Sequence, residues 1–357
     1  MGSICFGGGT AGSEKERMVE VMAVGHNSIQ RIVHRVGEEL RSTKEIASYT
    51  SWNDALETFH AKWDIQVMNH NGFAEPPAVR DRLIRKHEIM LKYFEQRYGD
   101  FYRNYDYDAP MAPVDPDMEG RIWICWWQGL ENAPEIVKCC VESICHNAGN
   151  HQVTIITDQN VEQYIKIPKW VKKKQSEGII SRTHLSDLLR LSLLAEYGGL
   201  WLDATFFLHW SAFRYGFSAV LCFRLNVRII CIVQLHRGYF ANYSLGCVNK
   251  NRWIFRALRD FYLHYWELND YLVDYLLTDY LIVLAQRHNK GIADAFAAIK
   301  PNNPRCDDLY KVLDELYDES YWSKLTEDTR LFKLTWKQSF PKEVHGRPTF
   351  YAKLLGR

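Results

Sequence analysis

The chain has 357 residues, 47% of them apolar and 24% charged, a balance of soluble globular proteins that excludes disordered and fibrous classes. Lysine plus arginine number 44 against 43 acids, so the net charge of +1 exerts no long-range pull on nucleic acid or an acidic membrane, and any bound anion must be held locally. The nine cysteines form no C-x-x-C pair and no secretory signal opens the chain, so free thiols in a cytoplasmic, reducing setting are expected.

Residues 14–50 carry Met18, Val21, Met22, Ile29, Ile32, Val33, Val36 and Leu40 at spacings of three and four, which predicts one or two amphipathic helices. Residues 78–98 repeat the pattern. A turn-rich joint with Asn69, Asn71, Gly72, Pro76 and Pro77 lies between them, and a second spans Asp106 to Asp117. The boundary is therefore set near Glu119, with an N-terminal helical region at 1–118 and a larger domain at 119–357. Gly7 to Gly12 formally fits G-x-G-x-x-G, but too little chain precedes it for a dinucleotide-binding strand. The apolar run Phe217–Leu235 contains Arg224 and Arg228, which excludes a spanning helix of about 20 apolar residues.

Beyond Glu119 the period changes. Ile122 to Trp127 and Val153 to Thr157 read as strands flanking a helix over Pro134–Ala148, a βαβ unit that predicts an α/β fold with a mainly parallel sheet covered by helices on both faces. Leu200–Leu202, Ala219–Phe223, Ile229–Leu235 and Ser244–Val248 can extend the sheet; Trp253–Leu268 and Tyr271–Gln286 read as helices. Cys139, Cys140, Cys145 and His146 fall in a helix with spacing unlike a zinc site. The chain lacks G-x-S-x-G, H-E-x-x-H and the P-loop lysine motif.

The chemistry-bearing segment is His184–Thr205. Its leucines point in nearly every direction, as on a buried helix, yet Ser186, Asp187 and Arg190 share an arc of about 100°. A buried charge needs a partner, and an internal Asp187–Arg190 salt bridge is the simplest reading. Gly198-Gly199 ends the helix, and Leu200-Trp201-Leu202 delivers Asp203 at the carboxyl end of a strand, the ligand edge of an α/β sheet. A carboxylate there suits Mn²⁺ or Mg²⁺ bridging to a diphosphate; a simple turn aspartate is the alternative.

In order and spacing this region resembles the capsular polysaccharide synthesis protein family, a group of sugar transferases related to DXD-containing yeast-type mannosyltransferases and large clostridial toxin glucosyltransferases. The resemblance rests on Ser186-Asp187-Leu188-Leu189-Arg190, then Tyr197-Gly198-Gly199-Leu200-Trp201-Leu202-Asp203. The flanks Ile124–Gly129 with Ala133–Val137, and Leu331–Lys337 with Tyr351–Leu355, are similar to the family's first and closing segments. It implies a GT-A (Rossmann-like) fold, a UDP- or GDP-sugar donor, retaining transfer assisted by Mn²⁺ or Mg²⁺, and a glycan or lipid-linked saccharide acceptor, with no nucleic acid partner. With no transmembrane segment, the location implied is cytoplasmic, at most peripheral to the inner membrane face. It further implies donor contacts at Trp126, Trp127, Gln128, Thr157, Asp158, Ser186 and Lys337, with His345 near the diphosphate. Asp187 and Arg190 would hold the transferred sugar, Asp279 would return an acid toward donor and acceptor, and Asp203 with Thr205 would bind the metal. Thr205 stands where the paired-acid motif carries a second aspartate. The competing readings are a non-catalytic carbohydrate-binding or assembly protein, and a hydrolase pairing Asp203 with Asp279.

Overall fold

The computed structural model describes residues 36–70, 77–209, 220–222 and 240–356. The glycine-rich Gly7–Gly12 stretch, the helical expectation for residues 14–35, and the strand expected at Ile229–Leu235 lie outside the described residues.

Among the described residues three helices come first: α1 over residues 36–49, α2 Trp52–His70 and α3 Pro77–Arg103. Helix α2 escapes a reading by period because large apolar residues sit on its outer side as well, with Trp52 and Trp63 both exposed. The α/β part then runs β1 Ile122–Cys125, α4 Glu135–Asn147, β2 Val153–Ile156, α5 Val161–Tyr164, α6 Lys169–Ser176, α7 Arg182–Glu196, β3 Gly199–Leu202, β4 Phe206–Leu208, β5 Val220–Cys222 and β6 Ser244–Cys247. It closes with α8 Arg252–Leu268, α9 Leu277–His288, α10 Lys290–Ala297, α11 Glu319–Thr326, β7 Leu331–Lys333, β8 Glu343–Val344, β9 Arg347–Pro348 and α12 Phe350–Leu354. The helix expected over Tyr271–Gln286 thus begins only at Leu277.

The central sheet has the order β2-β1-β3-β6-β5. Strands β2, β1 and β3 are parallel, as the βαβ spacing predicts, whereas β3–β6 and β6–β5 pair antiparallel. The expectation of a mainly parallel sheet is met in that first half, and the whole is mixed α/β. A separate antiparallel pair, β4 with β7, places Phe206 opposite Lys333. That pairing brings the closing segment of the chain to the end of β3.

The double glycine has a steric cause. Gly199 adopts φ +85, and a Cβ there would lie 2.2 Å from the Arg121 carbonyl oxygen. That same oxygen accepts from the Leu200 amide at 2.9 Å, the bond that begins the β1–β3 pairing. A side chain at 199 would push the strands apart, so glycine is required for β3 to aim Asp203 out of the sheet.

One continuous apolar core runs from Ile46 and Ala55 through the sheet to Tyr351. The α3 rings Phe94 and Tyr102 stack on Tyr280 of α9 and Phe261 of α8, at 5.2 and 5.0 Å between centroids. The helices before Glu119 therefore share their core with the α/β part. Among the described residues no helix is long and apolar enough to cross a membrane, and Cys125, Cys139, Cys140, Cys145, Cys247 and Cys306 are free thiols.

Candidate active site

Helix α7 starts on a side-chain cap, the Ser181 hydroxyl accepting from the His184 amide. Eleven of its fifteen residues are buried, Asp187 and Arg190 among them. The expected internal pair is present: Arg190 Nη1 lies 3.1 Å from Asp187 Oδ1. The guanidinium also reaches across to the strand, where Nη2 donates to Asp203 Oδ1 at 3.2 Å. The same oxygen accepts from Trp201 Nε1 at 3.0 Å, and the guanidinium lies over the Trp201 ring, 5.1 Å from its centroid. Arg190 thus ties the helix before the double glycine to the acid after it. Its Nε and Nη1 are both buried with no hydrogen-bond partner among the described residues, so the Nη1 contact with Asp187 is an ion pair and the fork keeps uncommitted donors.

Asp187 and one further carboxyl, Asp279, share this field. Asp187 accepts from the Thr278 hydroxyl at 3.0 Å, and burial pushes its carboxyl above the ordinary range against the pull of Arg190. Asp279, in the first turn of α9, is only 3% exposed rather than lying on a helix surface. It accepts from Asn242 Nδ2 at 2.8 Å. Burial first, then the charge of Asp187, pushes it up to about 7. The structure therefore gathers Asp187, Arg190, Asp203 and Asp279, of which Asp203 is the open member, its side chain 30% exposed.

The expected donor contacts form a second group at the β1–β2 end of the sheet. Trp126 donates its amide to the Ile156 carbonyl at 3.0 Å, and the Asp158 amide donates to the Trp127 carbonyl at 2.9 Å, which fixes Thr157 and Asp158 beside the two tryptophans. Trp127 is buried, its Nε1 donating to Ser186 Oγ at 2.8 Å and its ring covered by Arg182 at 5.2 Å. Arg182 in turn pairs with Asp158 at 2.5 Å. Ser186 is thereby bound to Trp127, linking this group to α7. Trp126 is half-buried, edge-on to Trp336 at 5.7 Å, and Gln128 is exposed in the turn that follows.

The closing segment contributes otherwise than expected. Lys337 is exposed beyond β7, and His345 sits at the β8–β9 turn with φ 51. The cation brought to Asp203 is Lys333: its Nζ is 2.5 Å from Thr205 Oγ1 and 3.6 Å from Asp203 Oδ2. In the sequence Lys333 is distinguishable only as a lone charge within Leu331–Leu334; its approach to Asp203 comes from the β4–β7 pairing.

This arrangement bears on a metal at Asp203 and Thr205. Mg²⁺ binds oxygen at about 2.0–2.1 Å, so an ion held by both side chains would need the space the Lys333 ammonium takes. Asp203 Oδ1 is already shared by Arg190 and Trp201, and the Lys333 ammonium stands 3.6 Å from Oδ2. The donor set as it stands does not fit a divalent ion.

The model of the capsular polysaccharide synthesis protein family matches residues 71–354, and the chain belongs to that family. The match takes in α3 as well as the α/β part. Over 102 residues, 26% of this chain, it is 30% identical to the O-glycosyltransferase PaGT of Phomopsis amygdali. Over 105 residues, 27% of the chain, it is 30% identical to the O-glycosyltransferase braB of Annulohypoxylon truncatum. The matched stretch spans about a quarter of each relative's length, 25% and 24%. Among solved structures, the PaToxG glycosyltransferase aligns with 69% of this chain and 92% of its own at 16% identity, with a TM-score of 0.34, a likeness too distant to assign the fold.

Proposed function

We propose that the chain is a GT-A glycosyltransferase that takes a UDP- or GDP-sugar and passes the sugar, with retention at the anomeric carbon, to a hydroxyl of a glycan or lipid-linked saccharide. The observation that carries this reading is the Arg190 guanidinium bridging buried Asp187 and open Asp203 at the ligand edge of the sheet. A structural ion pair has no need of an exposed end, whereas a sugar diphosphate needs both a cation and hydroxyl acceptors in one place. The names of the two O-glycosyltransferase relatives support the same class.

In this reading the base lies against the exposed edge of Trp126, with Thr157 and Asp158 toward the ribose, while Ser186 and Trp127 position that wall. Asp187 and Arg190 face the sugar. The anomeric C–O bond breaks with its electron pair leaving on the diphosphate, the acceptor oxygen bonds the anomeric carbon from the same face, and its proton passes to the departing phosphate oxygen. Asp203 holds Arg190 in register for that charge, and Asp279, its carboxyl pushed up to about 7, keeps a protonated fraction near neutral pH that donates toward sugar or acceptor.

The test is hydrolysis or transfer from a panel of UDP- and GDP-sugars by the wild type and Asp203→Asn. The variant is expected to turn over about a hundredfold more slowly, roughly 3 kcal/mol of transition-state stabilisation, at an unchanged melting temperature. A variant that keeps most of the wild-type rate overturns the assignment. A wild type that binds glycans but neither binds nor cleaves any nucleotide sugar returns the chain to the carbohydrate-binding class.

A further inference from the structure

Thr205 and Lys333 face each other across the β4–β7 pairing, and neither position is explained by the helix-strand motif. Where the paired-acid motif would set a second carboxylate, Thr205 offers a hydroxyl that is 6% exposed, and that hydroxyl accepts from the Lys333 ammonium at 2.5 Å. The same ammonium faces the free oxygen of Asp203 at 3.6 Å. Behind it lie the rings of Phe206 and Tyr243, each 5.7 Å from Nζ to the centroid, an electron-rich backing for a cation. The lysine backbone is fixed as well, its amide donating to the Cys306 carbonyl at 2.9 Å. The cation is thus built in, with a rigid strand beneath it and a 24% exposed side chain that can turn toward a ligand.

We infer that Lys333 supplies the positive charge for the donor's diphosphate at the place where a divalent ion would sit, so that the site binds a nucleoside diphosphate without metal. The inference rests on the transferase reading above and deepens it. Charge balance supports it: Arg190 and Lys333 offset Asp187 and Asp203, whereas without Lys333 the corner would carry an excess of negative charge and repel a diphosphate. Substituting threonine for an acid removes one negative charge from the corner, the change that a lone ammonium in place of a doubly charged ion requires. In the transfer step the ammonium meets the charge left on the diphosphate oxygen as the anomeric bond breaks.

The experiment is calorimetric titration of UDP, GDP and inorganic pyrophosphate into the full chain, in EDTA and in Mn²⁺, for the wild type, Lys333→Met and Lys333→Arg. The wild type is expected to bind at least one nucleoside diphosphate in EDTA, with affinity within about threefold of that in Mn²⁺. Lys333→Met should lose at least tenfold in EDTA and Lys333→Arg much less, while wild-type protein added to Mn²⁺ plus nucleotide should lower the free-Mn²⁺ spin-resonance signal no further than nucleotide alone does. Wild-type binding that requires Mn²⁺ overturns the role of Lys333 and leaves the transferase reading standing. Unchanged binding by Lys333→Met in EDTA does the same. Failure of every probe in both conditions overturns the transferase reading and this one with it. If Lys333→Met does not fold, the metal response of the wild type and the affinity of Lys333→Arg decide.

Discussion

Among the described residues two ion pairs bury both partners, Lys86 with Asp274 and Arg190 with Asp187, and they are built differently. Between α3 and the approach to α9, Lys86 and Asp274 meet at 2.7 Å with side chains 1% and 2% exposed. Burial pushes the Asp274 carboxyl up, but the Lys86 and Lys62 ammonium groups together outweigh it and hold it below the ordinary range. Lys86 also donates to the Tyr280 hydroxyl at 3.3 Å, and that pair is closed on all sides. At the α7–β3 junction Arg190 is equally deep, yet one of its acids opens to solvent and two neighbouring carboxyls are pushed up rather than held down. A closed pair fixes how helices pack. An open, imperfectly balanced cluster keeps interaction capacity for something else.

The comparison breaks most readily at the closed pair. Lys86→Met leaves Asp274 buried without its main partner, and stability should fall by about 3–5 kcal/mol in urea unfolding, with activity per folded molecule unchanged. An unaltered midpoint would show the pair to be dispensable. Arg190→Lys tests the open cluster from the other side: the charge is kept, the fork that reaches both helix and strand is lost, and turnover should drop about a hundredfold, roughly 3 kcal/mol, with a smaller loss of stability than Lys86→Met. Turnover within threefold of wild type would reduce Arg190 to a packing role.

The smallest effect is a pH dependence. Asp279 is pushed from the ordinary 3.8 up to about 7, so between those values the folded protein holds a proton the unfolded chain has released. Stability from this group is therefore full at low pH and is lost as pH rises through about 7. Asp279→Asn, which cannot ionise, should gain about 2–3 kcal/mol relative to the wild type between pH 5 and pH 8, measured by unfolding at each pH. An equal difference at both would mean that the carboxyl titrates normally.

Much of this was legible in the residues because the decisive signals are local. Ser186, Asp187 and Arg190 share a helix arc, Gly198-Gly199 forces the turn, and Asp203 follows within four residues, so the junction can be read along one stretch of chain. Strands β1, β2 and β3 were equally readable from short β-rich runs separated by a helix. What could not be read depends on contacts far apart in sequence. The antiparallel entry of β6 beside β3 leaves no mark on Ser244–Cys247 that separates it from a parallel strand. Lys333 reaches Thr205 only through a pairing between strands some 130 residues apart, whereas Lys337, the lysine the resemblance implies in the same segment, is exposed beyond β7. The burial of Asp279 likewise comes from α3 and α8 packing around α9, far from it in sequence.

The central claim is that the α7–β3 junction is where a sugar diphosphate is held, and a crystal structure with bound UDP or GDP tests it most directly. The diphosphate should lie between Arg190, Asp203 and Lys333, with the base toward Trp126 and Thr157. Nucleotide lodged instead in the cavity of about 420 Å³ between α5, α7 and α8, against Tyr164, Leu188 and Arg259, would contradict it.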